Sequence, residues 1–179
     1  MRQVVLITGG TTGIGLALAE AFLARGGQIA VCARSREPLD AFTSAHPQAI
    51  AVRADITDAA ARVDVLDAVA DRFGRLDVLV NNAGVFLERD LVDGTEGLDP
   101  EIALNFSAPM HLTGSALRRW PDLRAVVFVT AGYALASSRR APTYGAAKAG
   151  VHAFADGLRE QLRERGAHDR QTRDRQVLA

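Results

Sequence analysis

Cysteine is almost missing from this chain. The single Cys32 cannot form an internal disulfide, so a cross-linked scaffold is excluded, and its apolar surroundings suit a small buried hydrophobe. Excess charge is missing too. The 21 basic and 21 acidic side chains cancel, which argues against nucleic acid or an anionic membrane as a partner held by charge. Arginines between Arg159 and Arg175 are interleaved with acids and read as a solvated surface. His46, His111, His152 and His168 show no ligand spacing with cysteine or carboxylates, so no metal site is expected. No leader-like segment follows Met1 and no apolar run has spanning length, which makes a cytoplasmic location the default expectation. Neither a solenoid-type repeat nor a domain linker is visible. What is there is globular material: 179 residues, 48% hydrophobic, enough for one domain with a core.

Short β-branched runs alternate with longer helical patterns. Val4 to Thr8 reads as a strand, and Ile14, Leu18 and Phe22 mark a helix from Ile14 to Arg25, stopped by Gly26-Gly27. Strands are expected at Ile29 to Ala33, Ala49 to Ala54, Leu76 to Val80 and Val126 to Thr130. Helices are expected at Glu37 to Ser44, at Asp58 to Phe73 with Asp58 as N-cap and Gly74 as stop, at Pro100 to Arg119 with a bend at Pro109, and at Tyr144 to Arg165. Strands alternating with helices predict a parallel sheet covered on both faces. Right-handed crossovers then favour an α/β fold, a Rossmann-type doubly wound sheet of about five strands in the order 3-2-1-4-5. Residues 1–165 form the expected domain. Residues 166–179, too charged for a buried strand, read as a polar C-terminal tail that leaves the outer edge of the fifth strand uncovered.

Between the first strand and first helix lies Thr8-Gly9-Gly10-Thr11-Thr12-Gly13-Ile14-Gly15. Glycines there let a backbone approach a pyrophosphate, and the helix beyond adds free N–H groups and a positive dipole end. Placed first in a βαβ series, the turn points to nucleotide binding. Tyr144 and Lys148 share a helix face four residues apart, where an ammonium favours the phenolate and would lower the tyrosine pKa.

The TGxxxGxG spacing resembles the short-chain dehydrogenase/reductase family, and further landmarks follow in order from residue 4 to about 165. Asn81-Asn82-Ala83-Gly84 is similar to the family's NNAG motif, and Tyr144-Gly145-Ala146-Ala147-Lys148 to its YxxxK motif. The resemblance implies a nicotinamide dinucleotide cradled by Gly9, Thr11, Thr12, Gly13, Ile14 and Gly15. Asp55 and Ile56 would lie by the adenine, with Asn82, Ala83 and Gly84 beside the cofactor. It implies Tyr144 as acid/base, Lys148 as ribose-binding group and Asn105 as holder of a water chain. At the end of the second strand, where NAD enzymes carry a carboxylate, Arg34-Ser35-Arg36 has none. Arg34 can pair with a 2′-phosphate and Ser35 can add a hydrogen bond, which favours NADP over NAD.

One family landmark departs. The serine usually found thirteen positions before the tyrosine is Ala131 here. Losing such a donor can cost ~3–4 kcal/mol of transition-state stabilisation. Thr130 should point to the other face, and Ser137 or Ser138 in the following loop are the remaining hydroxyls. The family's sixth strand and substrate loop have no recognisable counterpart after Gly166. Three readings therefore stand: an NADP(H)-dependent carbonyl/alcohol oxidoreductase, a cofactor-binding pseudoenzyme, or a non-redox isomerase or cyclase. The stripe Val151, Phe154, Leu158 and Leu162 implies core on one side and, by the resemblance, a homodimer or homotetramer contact on the other.

Overall fold

The computed structural model describes residues 2–136, 138–168 and 176–179. Strands β1 (Val4–Thr8), β2 (Gln28–Ala33), β3 (Ile50–Arg53), β4 (Val78–Asn81), β5 (Ala125–Phe128) and β6 (Gln176–Leu178) form one sheet in the order β3-β2-β1-β4-β5-β6. All its pairings are parallel. The pleat sorts β1 between two cores. Val4 and Leu6 meet α3 (Ala59–Phe73), α5 (Ala108–Arg119) and α6 (Pro142–His168) on one face. Val5 and Ile7 meet α1 (Gly13–Ala24) and α2 (Arg36–Ala45) on the other. Because both faces are covered, β1 and β4 are apolar at nearly every position and buried throughout.

Local chemistry sets most boundaries. Asp58 caps α3 by accepting from the Ala61 amide at 2.8 Å, and Gly74 ends it in the left-handed region at φ 72°. The stripe on α6 packs as expected on its inner side, with Val151, Leu158 and Leu162 buried and Phe154 edge-on to Phe128.

Two expectations need correction. The helix expected from Pro100 with a bend at Pro109 is instead α4 (Leu98–Ile102), a π-helical turn over Ala103–Ser107, and α5. Pro109 sits in the first turn of α5, where its ring is tolerated. It has no N–H for the carbonyl four residues back, that of Asn105, so the distortion falls one turn earlier than expected. The second correction concerns the tail. Residues 166–168 continue α6, and Gln176–Leu178 pair with β5 as a sixth strand, so that edge is covered. Val177 is buried in the core and its carbonyl accepts from Arg159 Nε at 3.1 Å and Nη2 at 2.9 Å. Residues 169–175 of the expected tail lie outside the described residues.

A buried ion pair ties the segment after β4 to the helices. Arg89 Nη2 lies 3.1 Å from Glu101 Oε2 on α4, which also accepts from the Thr143 hydroxyl of α6 at 2.9 Å. Glu101→Ala leaves the guanidinium buried without its partner. The expected cost is about 3–5 kcal/mol, read as a lower urea midpoint with an unchanged m-value.

Candidate active site

The glycine turn closes on itself and opens outward. The Gly9 amide donates to the Cys32 carbonyl at 2.8 Å, which carries the chain from β1 across the end of β2. A Cβ on Gly15 would overlap the Gly9 carbonyl oxygen and lie 2.5 Å from Asn82 Nδ2, so α1 can pack this tightly on the turn only through glycine. Gly13, at φ +52°, faces open space. Helix α1 begins there with no acidic residue in its first turn, and the Thr12 side chain makes no cap bond. Its first amides and positive dipole end are thus open to an anion. From this turn a cleft extends along the carboxyl ends of β1, β2 and β3. Gly9, Thr11, Thr12, Arg34, Ser35, Pro38, Asp55, Ile56, Ala83 and Gly84 line it, with Cys32, Ala33, Ala54 and Leu104. The cleft suits a dinucleotide: a cradle without side chains at one point and a guanidinium at another.

Most expected cofactor residues meet in this cleft, and some act from behind it. Asn82 does not line it; Nδ2 donates to the carbonyls of Thr8 (2.9 Å) and Gly9 (3.1 Å) and holds the turn. Ile14 and Gly15 also lie off its wall, Ile14 being 63% exposed at the start of α1. Asp55 accepts from the amide and hydroxyl of Thr57 at 2.9 and 2.7 Å, and these bonds hold its carboxyl below the usual carboxylate range. Cys32 is buried on the cleft floor, and desolvation pushes its thiol up to about 12, so it stays protonated.

Lys148, Asn105 and Gly84 converge at the cleft's far end. A Cβ on Gly84 would stand 2.7 Å from Asn105 Oδ1 and 3.4 Å from Lys148 Nζ. The Lys148 ammonium is buried, donates to the Val129 carbonyl at 2.9 Å, and has its pKa depressed by desolvation. Asn105 spends its side chain on Val85, accepting from the amide at 2.9 Å and donating to the carbonyl at 2.8 Å. From Gly84 the chain runs two residues to Phe86, which shares a second pocket with Ala131, Gly132, Tyr133 and Tyr144. The expected lowering of the Tyr144 pKa is reversed here. Burial, first, and then the neighbouring Tyr133 raise it, while the Lys148 ammonium is turned to Val129 and lies 5.6 Å from the ring centroid.

Two of the three hydroxyls expected to stand in for the missing serine do not reach the pocket. Neither Thr130 nor Ser138 lines the Tyr144 pocket, the Ser138 oxygen accepts the Arg140 amide at 3.2 Å, and Ser137 lies outside the described residues. Sequence reasoning missed Thr8, whose hydroxyl accepts the amides of Asn82 and Ala83 at 3.0 Å each. It also missed Thr57 behind Asp55 and Tyr133 beside Tyr144. Asp-x-Thr was a visible signal for the second, because such spacings form side-chain turns; Thr8 had none beyond its place at a strand end.

This arrangement is that of a known family. The family model for short chain dehydrogenases matches residues 3–168, and the chain belongs to that family. It is 39% identical over 169 residues to the oxidoreductase DltE of Bacillus subtilis, covering 91% of this chain and 67% of that one. It is 33% identical over 172 residues to 11-beta-hydroxysteroid dehydrogenase-like 3 of Arabidopsis thaliana, covering 90% of this chain and 55% of that one. The structure of a short-chain dehydrogenase from Streptomyces avermitilis superposes with a TM-score of 0.85 at 32% identity, covering 91% of this chain and 61% of that one. The chain therefore spans between about half and two thirds of these relatives. Members of the family bind nicotinamide dinucleotides and act on small molecules.

Gly15→Ala is expected to cost about 1–3 kcal/mol, because a methyl must displace backbone. It should abolish dinucleotide binding in a fluorescence titration. Gly13→Ala, meeting open space, should cost only the left-handed backbone penalty of about 1–2 kcal/mol.

Proposed function

We propose that the protein is an NADP(H)-dependent short-chain oxidoreductase that interconverts a carbonyl compound and an alcohol. One observation carries this reading: the cleft that begins at Arg34 ends at Gly84, where Lys148 and Asn105 converge, two residues from the pocket of Tyr144. Arg34 and Ser35 receive the 2′-phosphate, Asp55 and Ile56 flank the adenine, and Thr11, Thr12 and the start of α1 meet the pyrophosphate. Gly9, Ala83 and Gly84 let the cofactor lie close to the backbone. Lys148 holds the nicotinamide ribose. Bound there, the reduced dinucleotide supplies a hydride to the substrate's carbonyl carbon. Tyr144 donates its phenolic proton to the substrate oxygen. Its raised pKa keeps that proton in place at neutral pH, which suits reduction. Asn105 fixes the Val85 backbone between cleft and pocket. Pro109 cannot donate to the Asn105 backbone carbonyl from four residues on, which suits that oxygen to hold water for proton resupply.

The setting is a small-molecule enzyme of the cytoplasm with no nucleic-acid or membrane partner. Charge balance supports this, and among the described residues no helix is long and apolar enough to cross a membrane. A homodimer or homotetramer would use the groove between α5 and α6, lined by Phe106, Met110, Leu117, Phe154, Leu158 and Leu162. A second reading, a pseudoenzyme or a non-redox relative, is favoured by Ala131, which presents a methyl beside Tyr144.

NADPH should quench intrinsic fluorescence at lower concentration than NADH. Arg34→Ala should weaken NADPH binding about tenfold to a hundredfold, the worth of a charge-assisted hydrogen bond, and leave NADH unchanged. Equal affinities for the two cofactors would overturn the NADP assignment. Binding without turnover on a carbonyl panel would favour the second reading. For reduction, the rate should stay flat through neutral pH and fall only as pH rises through the raised Tyr144 pKa, since deprotonation removes the acid. A limb on the acid side of the ordinary tyrosine value would contradict this.

A further inference from the structure

We propose that Tyr133 donates the second hydrogen bond to the substrate oxygen, in the pocket where Ala131 has no hydroxyl to offer. This inference rests on the oxidoreductase reading above. Of the five residues that line the pocket, Phe86, Ala131, Gly132, Tyr133 and Tyr144, only the two tyrosines carry a side-chain hydrogen-bond donor. A carbonyl oxygen held against Tyr144 can therefore receive a second side-chain bond from that lining only through Tyr133.

The geometry places Tyr133 for the task. It lies in the 3₁₀ turn Gly132–Ala134, whose start is fixed by the Ala134 amide donating to the Ala131 carbonyl at 2.8 Å. Its ring meets that of Tyr144 edge to face at 6.2 Å between centroids. Phe86 stacks on it at 5.9 Å with 18° between planes, and also meets Tyr144 edge to face at 5.1 Å. Phe86 thus braces Tyr133 by stacking, and Ala131 lines the pocket the three rings share. The Tyr133 phenol is close enough to oppose ionisation of Tyr144.

The roles divide cleanly. During reduction the carbonyl carbon accepts hydride from the bound dinucleotide, which is oxidised by two electrons. Tyr144 transfers its proton to the oxygen and becomes the phenolate, later reprotonated from water. Tyr133 keeps its proton and stabilises the developing oxyanion. A phenol at 133 replaces an alcohol at 131 without any change in the proton count.

The chain has two tyrosines, Tyr133 and Tyr144, so tyrosinate absorbance reads the pair directly in the free protein. Loss of the neighbouring phenol in Tyr133→Phe should lower the Tyr144 ionisation relative to the parent. A Tyr144 ionisation left unmoved by Tyr133→Phe overturns the proposal, because the phenols then do not share a site. In turnover with NADPH and a carbonyl panel, Tyr133→Phe should lower kcat by about 10²–10³-fold, the loss seen for one oxyanion donor. KM should change little, and Ala131→Ser in the Tyr133→Phe background should recover most of the loss. A turning-over parent whose kcat survives Tyr133→Phe overturns the role of Tyr133 and leaves the oxidoreductase reading intact. A parent that binds NADPH but reduces nothing in the panel, while Ala131→Ser does, overturns both.

Discussion

The site depends on how β1 and β4 are locked together at their carboxyl ends. The sheet grows outward from this pair, to β2 and β3 on one side and to β5 and β6 on the other, so their following segments diverge and leave a crevice. No ladder bond spans a crevice, and side chains must close its floor. Thr8 and Asn82 do so reciprocally: the threonine hydroxyl accepts two amides from the β4 side, and the asparagine amide donates to two carbonyls on the β1 side. Each such bond contributes about 1 kcal/mol net, and more is lost when a buried partner is stranded. Gly15 rests on the carbonyl that Asn82 holds, so the aim of α1 at the crevice is set by the same four bonds.

Burial does the electrostatic work at the far end. Lys148 is taken out of water on a helix packed against the sheet, where it donates to the Val129 carbonyl. Desolvation of an ammonium is costly, and here it shows as a depressed pKa. The half-buried phenol of Tyr144 nearby shifts the other way, since burial disfavours the phenolate as it disfavours the ammonium. The segment Ala83–Phe86 is what brings the two environments into register. Asn105 grips it from the π-helical turn, and the buried Arg89–Glu101–Thr143 cluster fixes its continuation against α4 and α6.

Much of this was legible in the residues. Alternating apolar runs gave the parallel sheet and the boundaries of β1 to β3 within a residue; β1 and β2, buried on both faces, are continuous apolar runs, while β3 is only partly buried. The cleft was legible because phosphate binding needs glycine and a helix start, and both leave fixed spacings. β6 was not. Three residues behind a charged run show no period, and Val177 is buried only because β5 offers it an edge. The bend expected at Pro109 was misplaced because proline acts on the carbonyl four residues earlier, outside its own position. The sign of the Tyr144 shift was missed because spacing puts Lys148 near it but says nothing of where the ammonium turns.

Ala131 and Tyr133 follow from one geometric constraint. A carbonyl oxygen beside Tyr144 needs a donor at a point in space, and that point can be reached from the near wall by a short alcohol or from two residues further on by a longer arm. A tyrosine has few torsions to freeze, and a stacked ring such as Phe86 freezes them before substrate arrives, so the longer arm need not be a looser one.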